Sequence, residues 1–299
     1  MEGNQHMELR LLQYFWMVAD VGTVSGAAEQ LHITQPTLSR QLRELEDELG
    51  TPLFDREKGR FRLTEAGLFL KSRAEEILEL SQSTEQAFVD RRHKLFSGTF
   101  KIGCVEADNS DTMAMMVEEF VRDYPEVKFD ITTGTSDDII DRLDKGLVDM
   151  AILLEPIDTE KYATLTLPRQ EKWGLLVANN SFLATKTGIT PADIKGMPLM
   201  ISKRPEITKL ISNWAKIDPS ELNVVGNFNL AFNILPLVEK QVAAAVGIEG
   251  AVTNRNVETT FLPLDPAIST NCVLAWRKNR VMSPVASELI KRFKNAFQA

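Results

Sequence analysis

The 299-residue sequence predicts a protein that joins an α+β unit to a larger α/β unit, and three patterns support this. Residues 7–63 contain three short helical patterns followed by a hairpin pattern. Residues 64–97 form one long helical pattern, and residues 98–299 alternate strand-like with helix-like segments. Such alternation is typical of helices layered on a largely parallel sheet. We therefore expect three domains with these limits.

The composition is that of an ordinary globular protein, with 43% hydrophobic and 25% charged residues. No apolar run reaches the roughly 18 residues that a membrane span requires. The first ten residues are polar and show no export signal, so we expect a cytoplasmic protein without a membrane partner. The patterned sequence begins at Met7.

The net charge of −8 does not by itself favour nucleic-acid binding. Residues 1–97 carry 12 Lys and Arg against 16 Asp and Glu, a net of −4, and the rest of the chain carries the other half. A DNA-binding role must therefore rest on where the positive charges lie.

Candidate catalytic and metal-binding residues are scarce. All three histidines precede residue 98, which excludes histidine-dependent triads and histidine zinc sites from the C-terminal domain. No phosphate-binding loop or hydrolase motif occurs, so we expect no enzyme activity, no metal and no cofactor. Cys104 and Cys272 lie in apolar strand-like runs and are expected to be buried thiols, with a redox pair as the alternative.

Residues 9–49 have the spacing of a helix-turn-helix. After two short helical segments and a three-residue turn, Thr34 is a suitable N-cap and Pro36 fits the first turn of a third helix. Gly50 is expected to end that helix. Its core stripe is predicted to consist of Leu38, Leu42, Leu45 and Leu49. The opposite, polar face is then available to the major groove of DNA.

Residues 51–63 predict a short hairpin with its turn near Lys58-Gly59. A basic hairpin beside a recognition helix suits phosphate contact, whereas an isolated charged turn would only be solvated. Four of the seven Lys and Arg in residues 1–63 lie here: Arg56, Lys58, Arg60 and Arg62.

The motifs of residues 14–67 resemble the DNA-binding domain of LysR-type transcription regulators. The resemblance is carried by Tyr14-Phe15, Gly22-Thr23, the unbroken run from Ala27-Ala28 through Gln35-Pro36-Thr37 to Gln41-Leu42, Leu45-Glu46, Leu49-Gly50, Pro52-Leu53-Phe54-Asp55-Arg56 and Leu63-Thr64-Glu65-Ala66-Gly67. It implies a winged helix-turn-helix that binds double-stranded operator DNA. By this resemblance Gln35, Thr37 and Ser39 contact base edges, and Thr34, Arg40 and the wing arginines hold the DNA backbone. The full candidate set is Thr34, Gln35, Pro36, Thr37, Ser39, Arg40, Arg43, Arg56, Lys58, Arg60 and Arg62.

Thr64 is expected to cap a long linker helix that reaches about Leu95. Its dimerisation seam is predicted at spacings of three and four residues: Leu70, Ala74, Ile77, Ser81, Thr84 and Phe88. A helix this long has little of its own domain to cover the seam, so pairing with a second copy is expected. The alternative is packing on its own domain. The family resemblance also implies a dimer, and it alone implies a tetramer.

Residues 98–299 resemble the LysR-type effector domain, in which two α/β lobes are joined by two crossover strands as in periplasmic solute-binding proteins. The supporting segments are Gly98-Thr99-Phe100-Lys101-Ile102-Gly103, Tyr124-Pro125, Asp149-Met150-Ala151-Ile152 and Ala244-Ala245-Val246-Gly247-Ile248. We expect lobe I over about 98–164 and 273–299, and lobe II over about 165–272.

Ligands in such folds bind where strands end and helices begin. The candidate effector-binding residues are Glu106, Asp108, Asn109, Ser110, Thr135, Ser136, Ser202, Lys203, Phe228, Asn229 and Glu249. Each has an alternative role as a helix cap or a solvated loop residue.

The charged residues near the predicted strand ends do not decide the charge of the effector. Glu106, Asp108 and Asp111 would oppose a bound anion, whereas Lys203 and Arg204 would attract one. This balance leans toward a neutral, zwitterionic or cationic effector.

The resemblance implies a transcription regulator controlled by a small-molecule effector and, if it is an activator, one that contacts RNA polymerase. Two alternatives stay open at this point. The C-terminal domain could serve oligomerisation alone, or the helix-turn-helix could be fused to an enzyme, against which the missing catalytic motifs argue.

Overall fold

The computed structural model describes residues 7–55, 62–93, 97–252 and 258–297. The chain separates into two compact units, Met1–Val89 and Asp90–Ala299. The first unit holds three helices, a two-stranded ribbon and most of a long helix. Its elements are α1 (Leu9–Val21), α2 (Val24–Gln30), α3 (Gln35–Leu49), β1 (Phe54–Asp55), β2 (Arg62–Leu63) and α4 (Glu65–His93).

Local capping explains where the helices of the first unit begin and end. The Thr34 side chain accepts a hydrogen bond from the Thr37 N–H, and Pro36 lies in the first turn of α3. Gly50 ends α3 with a φ of 66°, a left-handed conformation that glycine adopts without strain. The Thr64 hydroxyl accepts from the Gly67 N–H at 3.0 Å and so caps α4. These caps were predicted from the sequence and are confirmed.

The second unit is built on one nine-stranded sheet with helices on its faces. Its first elements are β3 (Gly98–Cys104), α5 (Asn109–Asp123), β4 (Val127–Thr133), α6 (Ser136–Lys145) and β5 (Met150–Leu154). They are followed by β6 (Tyr162–Ala178), α7 (Pro191–Ile194), β7 (Leu199–Ser202), α8 (Pro205–Ala215), β8 (Val224–Phe228), α9 (Leu235–Glu239), β9 (Ala244–Ile248), α10 (Glu249–Val252), β10 (Thr259–Pro263), β11 (Ser269–Arg277) and α11 (Pro284–Phe297).

The sheet order, β4-β3-β5-β11-β6-β9-β7-β8 with β10 also on β6, divides this unit into two lobes. Strand β6 pairs with β11 from Tyr162 to Lys172 and with β9 from Trp173 onward. It therefore crosses from lobe I to lobe II at Lys172–Trp173, beyond the limit expected near residue 165. Pairing is parallel among β3, β4 and β5 and among β7, β8 and β9, whereas the crossover strands pair antiparallel. The two-lobed α/β architecture is confirmed.

Candidate functional site

Helix α3 presents one apolar and one polar face. Leu38, Leu42 and Leu45 are buried against α1 and α2. Leu49, predicted to complete this stripe, is 40% exposed because it is the last residue of the helix. The predicted stripe is therefore one residue too long.

The polar face of α3 carries most of the predicted DNA-binding residues. Ser39 is half-buried and the others are exposed: Thr34, Gln35, Pro36, Thr37, Arg40 and Arg43. The Thr34 and Thr37 hydroxyls are 2.8 Å apart and hydrogen-bonded. Arg40 Nε lies 3.7 Å from Glu44 on the same face, a solvent-screened pair that holds the guanidinium only weakly.

The wing is described only at its base. Phe54 pairs with Leu63 and Asp55 with Arg62, whose side chain is exposed. The predicted phosphate contacts Arg56, Lys58 and Arg60 lie outside the described residues. Glu46, for which no role was predicted from the sequence, joins α3 to β1 because its Oε1 accepts the Leu53 and Phe54 N–H groups at 2.8 and 3.2 Å.

The predicted dimerisation seam on α4 is split. Leu70 and Ala74 are buried in the hydrophobic core of their own unit, together with residues of α1 and α3. Their assignment to the seam is corrected, because helical spacing identifies an apolar face but not what covers it. Further along α4, Ile77 and Phe88 are 39% and 59% exposed. Ser81 is half-buried, and the exposed Thr84 donates its hydroxyl to the Leu80 carbonyl.

A cleft of about 110 Å³ lies between the two lobes at the carboxyl ends of β3, β7, β8 and β9. Six predicted effector-binding residues line it: Glu106, Thr135, Ser136, Ser202, Phe228 and Asn229. The rest of the lining is mainly apolar. It includes Val105, Leu154, Trp173, Leu176, Ile207, Ala251 and Phe261.

Five other predicted effector-binding residues do not line the cleft, and the predictions for them are corrected. Asn109 is fully buried and donates its amide to Arg169 and Glu171. Asp108 immediately precedes α5 and Ser110 lies in its first turn. Lys203 is exposed, and Glu249 lies 3.6 Å from Lys172 Nζ. Sequence position places each near a strand end but does not give the direction of its side chain.

Glu171 organises the crossover beside the cleft and was missed in the sequence. Its buried carboxylate accepts the N–H groups of Asp108 and Asn109 at 3.0 and 3.3 Å. Burial raises the pKa of Glu171, although these hydrogen bonds act in the opposite direction. The N-terminus of α5 is thus occupied by a carboxylate of the chain itself.

The expected repulsion of an anion by the acids near β3 is weaker than the sequence suggested. Asp111 pairs with Arg169 at 2.8 Å, and neither Asp108 nor Asp111 lines the cleft. Glu106 does line it, but its Oε2 accepts the Ala231 N–H at 2.8 Å. Of the three acids that favoured a neutral, zwitterionic or cationic effector, only Glu106 therefore lines the cleft, and the positively charged Arg204 lines it too.

The two cysteines are free and buried, and burial raises the pKa of both thiols. Among the described residues, no group of three or more His, Cys, Asp or Glu side chains is placed to hold a metal ion. Within that same part of the chain, no helix is long and apolar enough to cross a membrane.

Two family models match the chain. Residues 9–68 match the bacterial regulatory helix-turn-helix protein, lysR family, and residues 93–298 match the LysR substrate binding domain. The HTH-type transcriptional regulator CzcR of Bacillus anthracis is 30% identical over 245 residues, 81% of this chain and 79% of that protein. The HTH-type transcriptional regulator AlsR of Bacillus subtilis (strain 168) is 27% identical over 96% of this chain and 94% of that protein.

Solved structures show the same fold. The crystal structure of CbnR, a LysR family transcriptional regulator, matches with a TM-score of 0.74 at 21% identity, over 98% of this chain and 100% of that chain. Full-length CbnR complexed with its target DNA matches with a TM-score of 0.73 at 20% identity, over 97% and 100% of the two chains. The chain belongs to the LysR family and is a LysR-type transcriptional regulator, not an enzyme, with a helix-turn-helix DNA-binding domain and a two-lobed effector-binding domain.

Proposed function

We propose that this regulator reads operator DNA through the N-terminal half of α3. The observation that carries the proposal is the exposed polar face of α3, set by the burial of Leu38, Leu42 and Leu45 on the opposite side. Gln35, Thr37 and Ser39 are the proposed base contacts, since residues at the start of a recognition helix approach base edges. The proposed backbone contacts are Thr34, Arg40, Arg62 and the wing residues Arg56, Lys58 and Arg60. Pro36 and Arg43 complete the proposed DNA-binding set.

We propose that the protein acts as a dimer joined through α4. The support is the exposed apolar surface that Ile77, Leu80 and Phe88 leave on this helix. Ser81 and Thr84 complete the proposed seam. A two-fold dimer would present two α3 helices to a palindromic site. Assembly into a tetramer is proposed from family membership alone. The domain limits 7–63, 64–97 and 98–299 are proposed from the sequence patterns.

We propose that a small-molecule effector binds in the cleft and favours one arrangement of the lobes. Such a ligand shifts an existing equilibrium by its difference in affinity for the two arrangements. The resulting change in subunit packing would alter the spacing of the α3 helices and hence the bend of the DNA. A cytoplasmic location and, for an activator, contact with RNA polymerase complete the proposal.

Selection of genomic fragments by the purified full chain, followed by sequencing, tests the DNA-binding step. The selection is run at two salt concentrations, because phosphate contacts weaken as salt rises while base contacts set the preference. We expect enrichment of a short imperfect palindrome at both concentrations. Binding that is equal on all fragments and is lost at high salt would contradict the proposed roles of Gln35, Thr37 and Ser39.

A further inference from the structure

Polar contacts join the lobes at the cleft. Glu106 of lobe I accepts the backbone N–H of Ala231 in lobe II at 2.8 Å. Arg204 of lobe II lies with its Nε 3.6 Å from Asp137 Oδ1 of lobe I. Of these four residues, only Asp137 does not line the cavity, and its side chain is 69% exposed.

The Arg204 guanidinium has a donor that makes no hydrogen bond within the described residues. Its Nε is buried and has no hydrogen-bond partner among the described residues. The 3.6 Å separation from Asp137 is an ion pair but is too long for a hydrogen bond. A cationic donor without a hydrogen bond is costly, and Arg204 lines the cavity with 21% of its side chain exposed, so a ligand carboxylate that bound this guanidinium from the cavity would gain affinity.

We propose that Arg204 selects the effector by its carboxylate, and that Asp137 competes for the same guanidinium. This inference rests on the proposed function, because it names the class of effector that the cleft takes. The rest of the cavity accepts an apolar body, since Val105, Trp173, Phe228 and other apolar side chains line it.

The charges of the cavity narrow the class further. Glu106 places a negative charge in the same cavity as Arg204, which disfavours a second carboxylate on the ligand. The class is therefore a monocarboxylate with an apolar body, for which 3-methylbutanoate is the probe.

Calorimetric titration of the full chain with 3-methylbutanoate, 3-methylbutanamide and glutarate tests the assignment. We expect the acid to bind about ten-fold or more tightly than the amide, because a hydrogen bond to a charged group is lost with the amide. Glutarate should bind more weakly than the acid. Absence of binding by the acid, or equal binding by acid and amide, would overturn the proposal without any variant.

Three variants test which side chain binds the carboxylate of the acid. Arg204→Gln should weaken binding of the acid by about ten-fold or more, whereas Lys203→Gln, which removes an equal charge from the adjacent exposed residue, should leave it unchanged. Asp137→Asn should strengthen binding, because it removes the competitor. Equal affinities in Arg204→Gln and Lys203→Gln, or no gain in Asp137→Asn, would contradict the proposed roles.

Operator binding by the ligand-free wild-type protein is measured in parallel. Retained operator binding without binding of the acid would remove the effector class and leave the proposed DNA-binding function in place. If instead the wild-type protein binds the acid but not operator DNA, the effector class stands and the proposed DNA-binding function is removed.

Discussion

Glu171 accepts a hydrogen bond from the side-chain amide of Asn109 at 3.0 Å and a second from its backbone N–H at 3.3 Å. Both residues are fully buried. The contact fixes the start of α5 to the crossover strand β6, and Asn109 does not line the cleft. The loop that carries Glu106 into the cleft is therefore anchored at its end by a buried carboxylate.

We expect Glu171→Gln to change how stability depends on pH. Because burial raises the pKa of Glu171, the folded chain binds this proton more tightly than the unfolded chain, in which the value is near 4.5. The stabilisation is present below the unfolded pKa and is lost as the pH rises through the folded pKa. The free energy of unfolding of the wild type should therefore fall relative to the variant as the pH rises above about 4.5, and the difference should level off once the pH exceeds the raised pKa of the folded chain.

Chemical denaturation at several pH values below and above 4.5 measures the free energy of unfolding of each protein. The exposed Glu126, changed to Gln, is the control and should follow the wild type. Parallel profiles for the wild type and Glu171→Gln would show that the buried carboxylate is not the source of the dependence. The neighbouring Asp108 also raises the pKa of Glu171, and it is present in both the wild type and Glu171→Gln.

Gly250 marks a close approach between the lobes. A Cβ at this position would lie 1.9 Å from the Asp108 nitrogen and 2.6 Å from the Ala107 carbonyl carbon, atoms of a backbone that cannot rotate aside. Gly250→Ala should lower the free energy of unfolding by about 1–3 kcal/mol through this overlap. Thermal unfolding checks the value, with Gly226→Ala as the control because its Cβ would meet only Met200 at 3.5 Å. An equal effect of the two changes would contradict the close contact.

The recognition helix could be predicted from the sequence because its signals are local. Thr34, Pro36 and Gly50 define α3 by their own backbone preferences, and these do not depend on the rest of the fold. For the cleft, the sequence predicted which segments contribute but not which side chains of those segments face the cavity. The reason is that the lining comes from strands far apart in the sequence. Trp173 lies within the 17-residue strand β6 and Phe261 within the five-residue strand β10, and the sequence of neither strand indicates that one side faces a cavity.

The proposed DNA contacts differ in what they should do. Arg40→Ala should weaken binding to operator and random DNA by similar factors and reduce the slope of log affinity against log salt by about 1, because it removes a phosphate contact. Thr37→Ala should reduce the preference for operator over random DNA, since it removes a base contact. Fluorescence anisotropy on both DNAs at several salt concentrations separates the two effects. An unchanged salt slope in Arg40→Ala would remove Arg40 from the backbone contacts.

Ile77→Asp should dissociate the proposed dimer, because it places a charge on the exposed apolar surface of α4, where a second copy would bury it. Leu68→Asp is the matched control, since Leu68 is also exposed on α4 but lies outside the seam. Sedimentation velocity should show a smaller species for Ile77→Asp and the wild-type species for Leu68→Asp. Operator affinity should fall with the dimer, because a single α3 helix contacts only half of a two-fold site. If Ile77→Asp sediments as the wild type does, the seam does not lie at Ile77 and the two copies must meet through another surface.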